Sequence, residues 1–390
     1  MAFSERSAAL PVPMLDLSRQ YTPIREEILA ALAEVVDQRQ FILGQPVAEF
    51  ERAAAQHLGV AEAVGCASGT DALWLALAAV GIGAGSAVIT TPFSFFASVS
   101  SILRAGAVPL LSDIDPVSFN LDPAGVEKLL EQPREVPVRA ILPVHLYGQC
   151  VDWAEFARLE ETYSVALIED AAQAWGARLD GVPAGGLGDI AAFSFYPTKN
   201  LSAAGDAGLV TTNRPELAER VRMLRQHGMR QRYHHDEVGW NARMDGFQGA
   251  VLKVNLRYVA ERNALRREAA LRYHELFEAA GVAENGVYPG HGVVLPRETA
   301  VGSHVWHQYV IRVGRRDGLR EFLTERQIGS EIYYPVPLHQ QKALESLGYG
   351  EGSFPEAERA AGEVLALPIF PEIRVDEQER VVAAVAEFLS

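Results

Sequence analysis

Apolar positions Ile24, Ile28, Leu32 and Val35 recur at helical spacing between Pro23 and Arg39, which predicts an amphipathic first helix. Short β-rich runs then alternate with helical stretches. Ala72–Val80, Pro123–Glu131 and Trp153–Thr162 read as helices, and Ala87–Thr90, Val108–Leu111, Ala140–Val144 and Val165–Ile168 read as strands. This alternation predicts an α/β fold with a mostly parallel sheet covered on both faces. Two more strands follow, Ile190–Phe195 and Gly208–Thr212, and the rhythm changes. A long helical pattern over about Leu252–Ala280, with Val254, Tyr258, Leu265, Leu271 and Phe277 apolar, leads into a second part. That part holds strand Tyr309–Val313, helix Arg316–Arg326, a short strand near Ile332 and a closing helix Glu377–Leu389.

The 390 residues suit a large domain with a smaller companion, and the pattern divides them into residues 1–255, first helix included, and residues 256–390. With 48% hydrophobic and 22% charged residues the composition is that of an ordinary globule. The 35 Lys plus Arg against 50 Asp plus Glu leave a charge of −15, which argues against nucleic acid as the main partner, because neutralising phosphates needs a basic face. Met1–Pro13 lacks the basic start and apolar stretch of a leader, and no run of about 20 apolar residues could span a bilayer, so no membrane partner and a cytoplasmic location are expected. Cys66 and Cys150 form no CxxC pair, and the histidines form no metal-ligand cluster; no metal is expected.

Three stretches carry candidate chemistry. Gly69, in Ala67-Ser68-Gly69-Thr70-Asp71, sits just before a helical run, where free backbone N–H groups and the helix dipole attract an anion; equally, Ser68, Thr70 or Asp71 is a plain helix cap. The apolar strand Val165–Ile168 ends in Glu169-Asp170. Ligands in open α/β sheets sit beyond the carboxyl ends of strands, and adjacent side chains point to opposite faces, so one of the two acids serves such a ligand unless both only cap the turn. Lys199, in Ser194-Phe195-Tyr196-Pro197-Thr198-Lys199, follows a buried strand, where partial burial lowers the pKa of an amine and makes it nucleophilic. Gly81-Ile82-Gly83-Ala84-Gly85 has glycines but the wrong order, helix before and strand after, and reads as a tight turn rather than a dinucleotide loop.

An anion cradle, an acid at a strand end and a lysine after a strand, in that order, are together the parts of a pyridoxal-phosphate (PLP) enzyme. With Ser68-Gly69-Thr70-Asp71-Ala72-Leu73, Glu169-Asp170-Ala171-Ala172-Gln173-Ala174, Phe193–Lys199 and Asn241-Ala242-Arg243-Met244-Asp245, the chain resembles the DegT/StrS group of nucleotide-sugar aminotransferases over nearly its whole length. The resemblance implies PLP-dependent transferase fold type I, with a mostly parallel mixed sheet in the large domain and a smaller α+β C-terminal domain. It implies that Lys199 links covalently to the cofactor and that Asp170 pairs with the protonated ring nitrogen. Gly69, Thr70 and Ser194 would hold the phosphate, Phe95 would stack on the ring and Gln173 would lie near its phenolic oxygen. Asn241 would reach the phosphate of a neighbouring subunit, which implies a homodimer with shared sites. His145, Tyr147, Arg243 and His339 are candidates for the sugar pocket, with Arg230 and Arg232 behind Arg243 as cations at its mouth.

The expected activity is amino transfer from L-glutamate, through pyridoxamine phosphate, to a nucleotide-linked keto-sugar, at C3 of a dTDP-3-keto-6-deoxyhexose. C4 amination and a UDP-linked sugar are the alternatives within the class, and a non-catalytic PLP-binding regulatory protein is the alternative outside it. Trp175 stands where many members of the group have His, which puts sugar specificity in doubt, and Lys199 separates the chain from the group's dehydratase branch, which has His there.

Overall fold

The computed structural model describes residues 10–300 and 302–390; residues 1–9, part of the Met1–Pro13 stretch read for a leader, lie outside the described residues. A capped turn, α1 (Leu17–Tyr21), leads through α2 (Arg25–Gln38) and α3 (Gly44–Leu58) to the first strand, β1 (Glu62–Cys66). Helix and strand then alternate as α4 (Gly69–Ala79), β2 (Ala87–Thr90), α5 (Ala97–Arg104), β3 (Val108–Leu111), α6 (Pro123–Glu131), β4 (Val138–Ile141), α7 (Trp153–Tyr163) and β5 (Ala166–Asp170). A small hairpin, β6 (Arg178–Leu179) with β7 (Val182–Pro183), precedes β8 (Ile190–Ser194) and β9 (Gly208–Thr212). Next come α8 (Pro215–Leu224), an outer hairpin of β10 (Met229–Gln231) and β11 (His234–His235), and α9 (Gly246–Leu256).

Seven strands form one sheet in the order β1-β9-β8-β5-β4-β2-β3. The four pairings from β8 to β3 are parallel, and β9 runs antiparallel between β8 and β1. Parallel strands need helical crossovers, and these cover both faces. The most enclosed is α4, where seven residues, Ala72 to Leu77 and Ala79, are buried. It starts where it does because the Ser68 hydroxyl accepts the Asp71 N–H at 3.0 Å.

The C-terminal part begins with α10 (Val259–Ala279) and builds a second sheet from β12 (Ala283–Glu284), β13 (Val293–Val294), β14 (Tyr309–Val313) and β15 (Val364–Leu367). Helices α11 (Arg316–Glu325), α12 (Pro355–Glu363) and α13 (Val375–Leu389) pack around it. The first described residues return to this part, since Val12 bridges Ile328 in parallel. One apolar core runs from Val64 of β1 and Leu75 of α4 to Leu365 of β15 and Val385 of α13.

Three expectations change. The single helix read over Leu252–Ala280 is two, α9 and α10, broken at Arg257-Tyr258. The break is held from outside, because the Asn255 amide donates to the Ser202 carbonyl at 2.9 Å and accepts from Arg262 at 3.0 Å. The strand near Ile332 is a single bridge from Glu331 to Ala366. The strand read over Ala140–Val144 is β4, shifted to Val138–Ile141, with Val144 making one parallel bridge to Asp170. The Gly81–Gly85 turn has the left-handed φ at both ends, +87° and +82°, that a reversal between helix and strand requires.

Buried Leu75 and exposed Leu29 differ in what truncation removes. Leu75→Ala is expected to lower unfolding free energy by about 2–5 kcal/mol in denaturant titration and Leu29→Ala by less than about 0.5 kcal/mol.

Candidate active site

The carboxyl ends of β1, β2, β5 and β8 open on one edge of the sheet, because β1 is antiparallel to a strand that is itself antiparallel to β8. Segments leaving these ends carry the polar groups, as expected where parallel strands stop.

From β1 the chain enters α4 through Ser68-Gly69-Thr70. The backbone N–H groups of Gly69 and Thr70 have no hydrogen-bond partner among the described residues, and they lie at the positive end of the helix dipole. Gly69 faces Ser194 so closely that an added Cβ would lie 2.5 Å from the Ser194 Cβ and 2.9 Å from its hydroxyl. Gly208 is equally constrained, with the Ser68 carbonyl occupying the place a side chain would take. Together they shape a narrow cradle of N–H and hydroxyl donors that matches a phosphate.

Asp170 closes β5. It is buried, and its carboxylate accepts from the Ser98 hydroxyl at 2.8 Å and the Ala172 N–H at 3.2 Å. Burial pushes its pKa above the ordinary value, against those hydrogen bonds and the charge of Lys199. Glu169, one residue earlier, turns to the opposite face and contacts none of these groups. Lys199 follows β8. Its amine is desolvated at the base of the cleft, which lowers its pKa to about 8 although Asp170 pulls the other way. The chain has three other lysines, Lys128, Lys253 and Lys342, and all are exposed.

Phe95, leaving β2, is 59% exposed, a large ring held in water beside buried charges, with the Tyr334 ring 6.4 Å away. The Gln173 amide donates to the Tyr334 hydroxyl at 3.2 Å and accepts from the Tyr147 N–H at 2.5 Å. An aldehyde-reactive amine, a carboxylate needing a cation, an exposed ring and an anion cradle, all on one edge, form a donor set that fits PLP.

Sequence reasoning missed several residues that shape this site. Ser98 is on α5, four residues after Ser94, whose hydroxyl lies 3.0 Å from its own, so the i, i+4 serine spacing was a legible signal. Tyr334 comes from the C-terminal part. Asn200 fixes the lysine segment: its amide donates to Asn263 at 2.8 Å and to the Val305 carbonyl at 3.0 Å. His307 Nδ1 sits 3.1 Å from the Asn200 carbonyl oxygen, and burial together with the Lys199 charge holds its pKa well below the ordinary value, so the ring is neutral.

Three of the four expected sugar contacts are buried side chains with protein partners of their own. His145 is fully buried, with Nε2 3.0 Å from Glu169 and Nδ1 accepting the Val151 N–H at 3.2 Å, so neither nitrogen faces a substrate. His339 is buried and its Nε2 engages Glu358 at 2.9 Å. Tyr147 is buried behind Gln173, its hydroxyl donating to the Tyr333 carbonyl. Arg243 remains half-exposed and donates to Asn241 at 3.0 Å; Asn241 itself is exposed. Arg230 is paired with Glu219 and Asp236 on the outer hairpin, and Arg232 lies over the Tyr233 ring. Trp175 is turned away from the cleft, packed against Phe193 and Phe195 and stacked on His57, so its bulk fills core rather than pocket.

A seven-stranded mixed sheet with a smaller α+β C-terminal domain, and a desolvated lysine facing a strand-end aspartate, define a PLP-dependent transferase of fold type I. The chain belongs to the DegT/DnrJ/EryC1/StrS aminotransferase family, whose model matches residues 22–386. It is an enzyme of the aminotransferase class, and its cofactor is PLP. It is 46% identical over 97% of its length to a pleiotropic regulatory protein of Geobacillus stearothermophilus, 98% of which is covered. It is 41% identical to a UDP-N-acetyl-3-dehydro-alpha-D-glucosamine 3-aminotransferase of Acidithiobacillus ferrooxidans, covering 97% of this chain and 98% of that one. Identity is also 41% to a dTDP-3-amino-3,4,6-trideoxy-alpha-D-glucose transaminase of Streptomyces venezuelae, with 99% and 98% covered. Among solved structures, S. venezuelae DesV in complex with a ketimine intermediate superposes with a TM-score of 0.92 at 41% identity, over 98% of this chain and 99% of that one. No helix among the described residues is long and apolar enough to cross a membrane, and no group of three or more His, Cys, Asp or Glu there could hold a metal ion.

Two outcomes follow from the geometry. The neutral amine is the reactive form and its fraction rises with pH, so trapping of an added aldehyde by cyanoborohydride at Lys199 should reach half its limiting rate at pH about 8. Gly69→Ala, by crowding the Ser194 cradle, should weaken PLP binding about tenfold to a hundredfold while affecting pyridoxal, which lacks the phosphate, about twofold or less, as measured by fluorescence titration.

Proposed function

We propose that the chain transfers an amino group from L-glutamate to a nucleotide-linked keto-sugar, at C3 of a dTDP-3-keto-6-deoxyhexose, in the cytoplasm and as a homodimer with shared active sites. The observation that carries the reading is Lys199: the one desolvated lysine of the chain, with a pKa of about 8, at the same sheet edge as buried Asp170. Lys199 forms the covalent link to the cofactor and moves the donor's α-proton. At pH 7 roughly a tenth of its amine is neutral, against roughly one part in three thousand at an ordinary lysine pKa. Bound PLP supplies the electron sink for the carbanion that loss of this proton leaves. Asp170 pairs with the ring nitrogen; burial has raised its pKa, and a ring N–H cation opposite relieves that cost. Gly69, Thr70 and Ser194 hold the phosphate, Phe95 covers the ring face, and Gln173 reaches the phenolic oxygen.

A second copy of the chain is supported by what this one leaves in water. Asn241 is exposed, and next to it Tyr233, Val238 and Trp240 are 77%, 85% and 43% exposed on the segment that carries the outer hairpin. Such apolar exposure favours burial in an interface. In the dimer, Asn241 reaches the partner's phosphate and Arg243 faces the anionic substrates. Both cysteines are free and buried, as suits a reducing compartment.

Relatives named for C3 amination carry dTDP or UDP sugars, which favours C3 and keeps a UDP-linked hexose as the second reading. A non-catalytic regulatory role, suggested by the name of another relative, leaves the desolvated Lys199 without a use. The purified protein should absorb near about 420 nm, and glutamate should convert that band to one near about 330 nm. Lys199→Ala should lose the band and amination together. Mass spectrometry of keto-sugar nucleotides incubated with glutamate checks the substrate: amination of a 4-keto sugar alone would overturn the C3 assignment.

A further inference from the structure

Two adjacent acids end β5, and only one of them meets the cleft. The other, Glu169, is fully buried and accepts four donors: the N–H groups of Gly185, Leu187 and Gly188 at 2.7, 2.9 and 2.9 Å, and His145 Nε2 at 3.0 Å. No Lys or Arg pairs with it among the described residues. A buried carboxylate kept by N–H donors alone is costly unless every lone pair is satisfied, and a full set of donors fixes its position tightly.

His145 is the residue that ties this pair to Asp170. Its Nδ1 accepts the Val151 N–H at 3.2 Å, so the donor toward Glu169 is Nε2. Its backbone N–H donates to the Asp170 carbonyl at 3.0 Å, while the Asp170 N–H donates to Pro143 at 2.9 Å. The Trp153 ring packs on the imidazole, centroids 6.2 Å apart. One residue thus holds Asp170 by its backbone and Glu169 by its side chain, on opposite faces of the same strand end.

We propose that His145 and Glu169 form a positioning clamp that fixes the backbone at the end of β5 and so aims the Asp170 carboxylate at the cofactor's ring nitrogen. Neither residue touches cofactor or substrate. The clamp rests on the reading of Asp170 as the ring partner, and it explains why both acids are present although one faces away. A strand end free to rotate by a fraction of an ångström would spoil the charge-assisted contact, whose strength depends on distance and angle.

The test compares PLP with an analogue whose ring nitrogen is replaced by carbon, each titrated into the apoprotein by fluorescence. His145→Gln keeps a donor near Nε2, whereas His145→Asn keeps only an acceptor near Nδ1. His145→Asn is expected to weaken PLP binding about tenfold while changing affinity for the carbon analogue less than about twofold, and His145→Gln should restore most of the loss. Equal losses for both ligands, or none for either, would overturn the clamp and leave His145 a fold residue. Asp170→Ala is the control: if it does not itself discriminate between the two ligands, the reading of Asp170 as ring partner falls first. Glu169→Gln, which turns an N–H toward other N–H groups, makes the same comparison should His145→Asn fail to fold, with the same two outcomes.

Discussion

Taking Lys199 out of water to face Asp170 is unfavourable for both groups, and much of the fold around the cleft serves to hold them there. The lysine's fall from 10.5 to about 8 corresponds to roughly 3 kcal/mol borne by the folded protein while the amine is charged. That cost is full below pH about 8 and fades as the pH rises toward 10.5, because the unfolded chain binds the proton more tightly in that window. The parallel sheet supplies the geometry: β5 and β8 are hydrogen-bonded neighbours running the same way, so their ends deliver the acid and the segment with the amine to one edge. Asn200 and neutral His307 then anchor the lysine side, as Ser98 and the Ala172 amide anchor the acid.

The charge of −15 acquires a more specific meaning beside this site. An acidic chain that handles a phosphorylated cofactor must attract anions locally, and the uncompensated N–H groups at the start of α4 offer such an attraction without a basic surface. Arginines on the outer hairpin are either paired, as Arg230 is with Glu219 and Asp236, or laid over an aromatic ring, as Arg232 is. The half-exposed Arg243 side chain, by contrast, bonds only to Asn241 among the described residues.

What the sequence disclosed follows the range of the interactions involved. Lys199, Asp170 and Gly69 were legible because each stands at the junction of an apolar strand or helix with a polar turn, a local pattern. Helix α3 went unread although Val47, Phe50, Ala54 and Leu58 carry its pattern, and so did the five-residue β1, which has little periodicity of its own. His145 and His339 were misplaced because a histidine's surroundings depend on remote partners, Glu169 and Glu358, that spacing does not reveal. The break at Arg257-Tyr258 has the same origin, in a bond from Asn255 to Ser202 some fifty residues earlier. Trp175 shows the reverse case: a conspicuous change beside the motif that the fold turns into the core, onto His57 and Phe193.

Everything proposed about the chemistry depends on Lys199 being the cofactor's covalent anchor. Borohydride reduction of the PLP-loaded protein, followed by proteolysis and mass spectrometry, reads that directly. The expected result is a pyridoxyl group on the peptide containing Lys199, with Lys128, Lys253 and Lys342 unmodified. A stoichiometric label on any of those three instead, or turnover in a protein that yields no label at all, would contradict it.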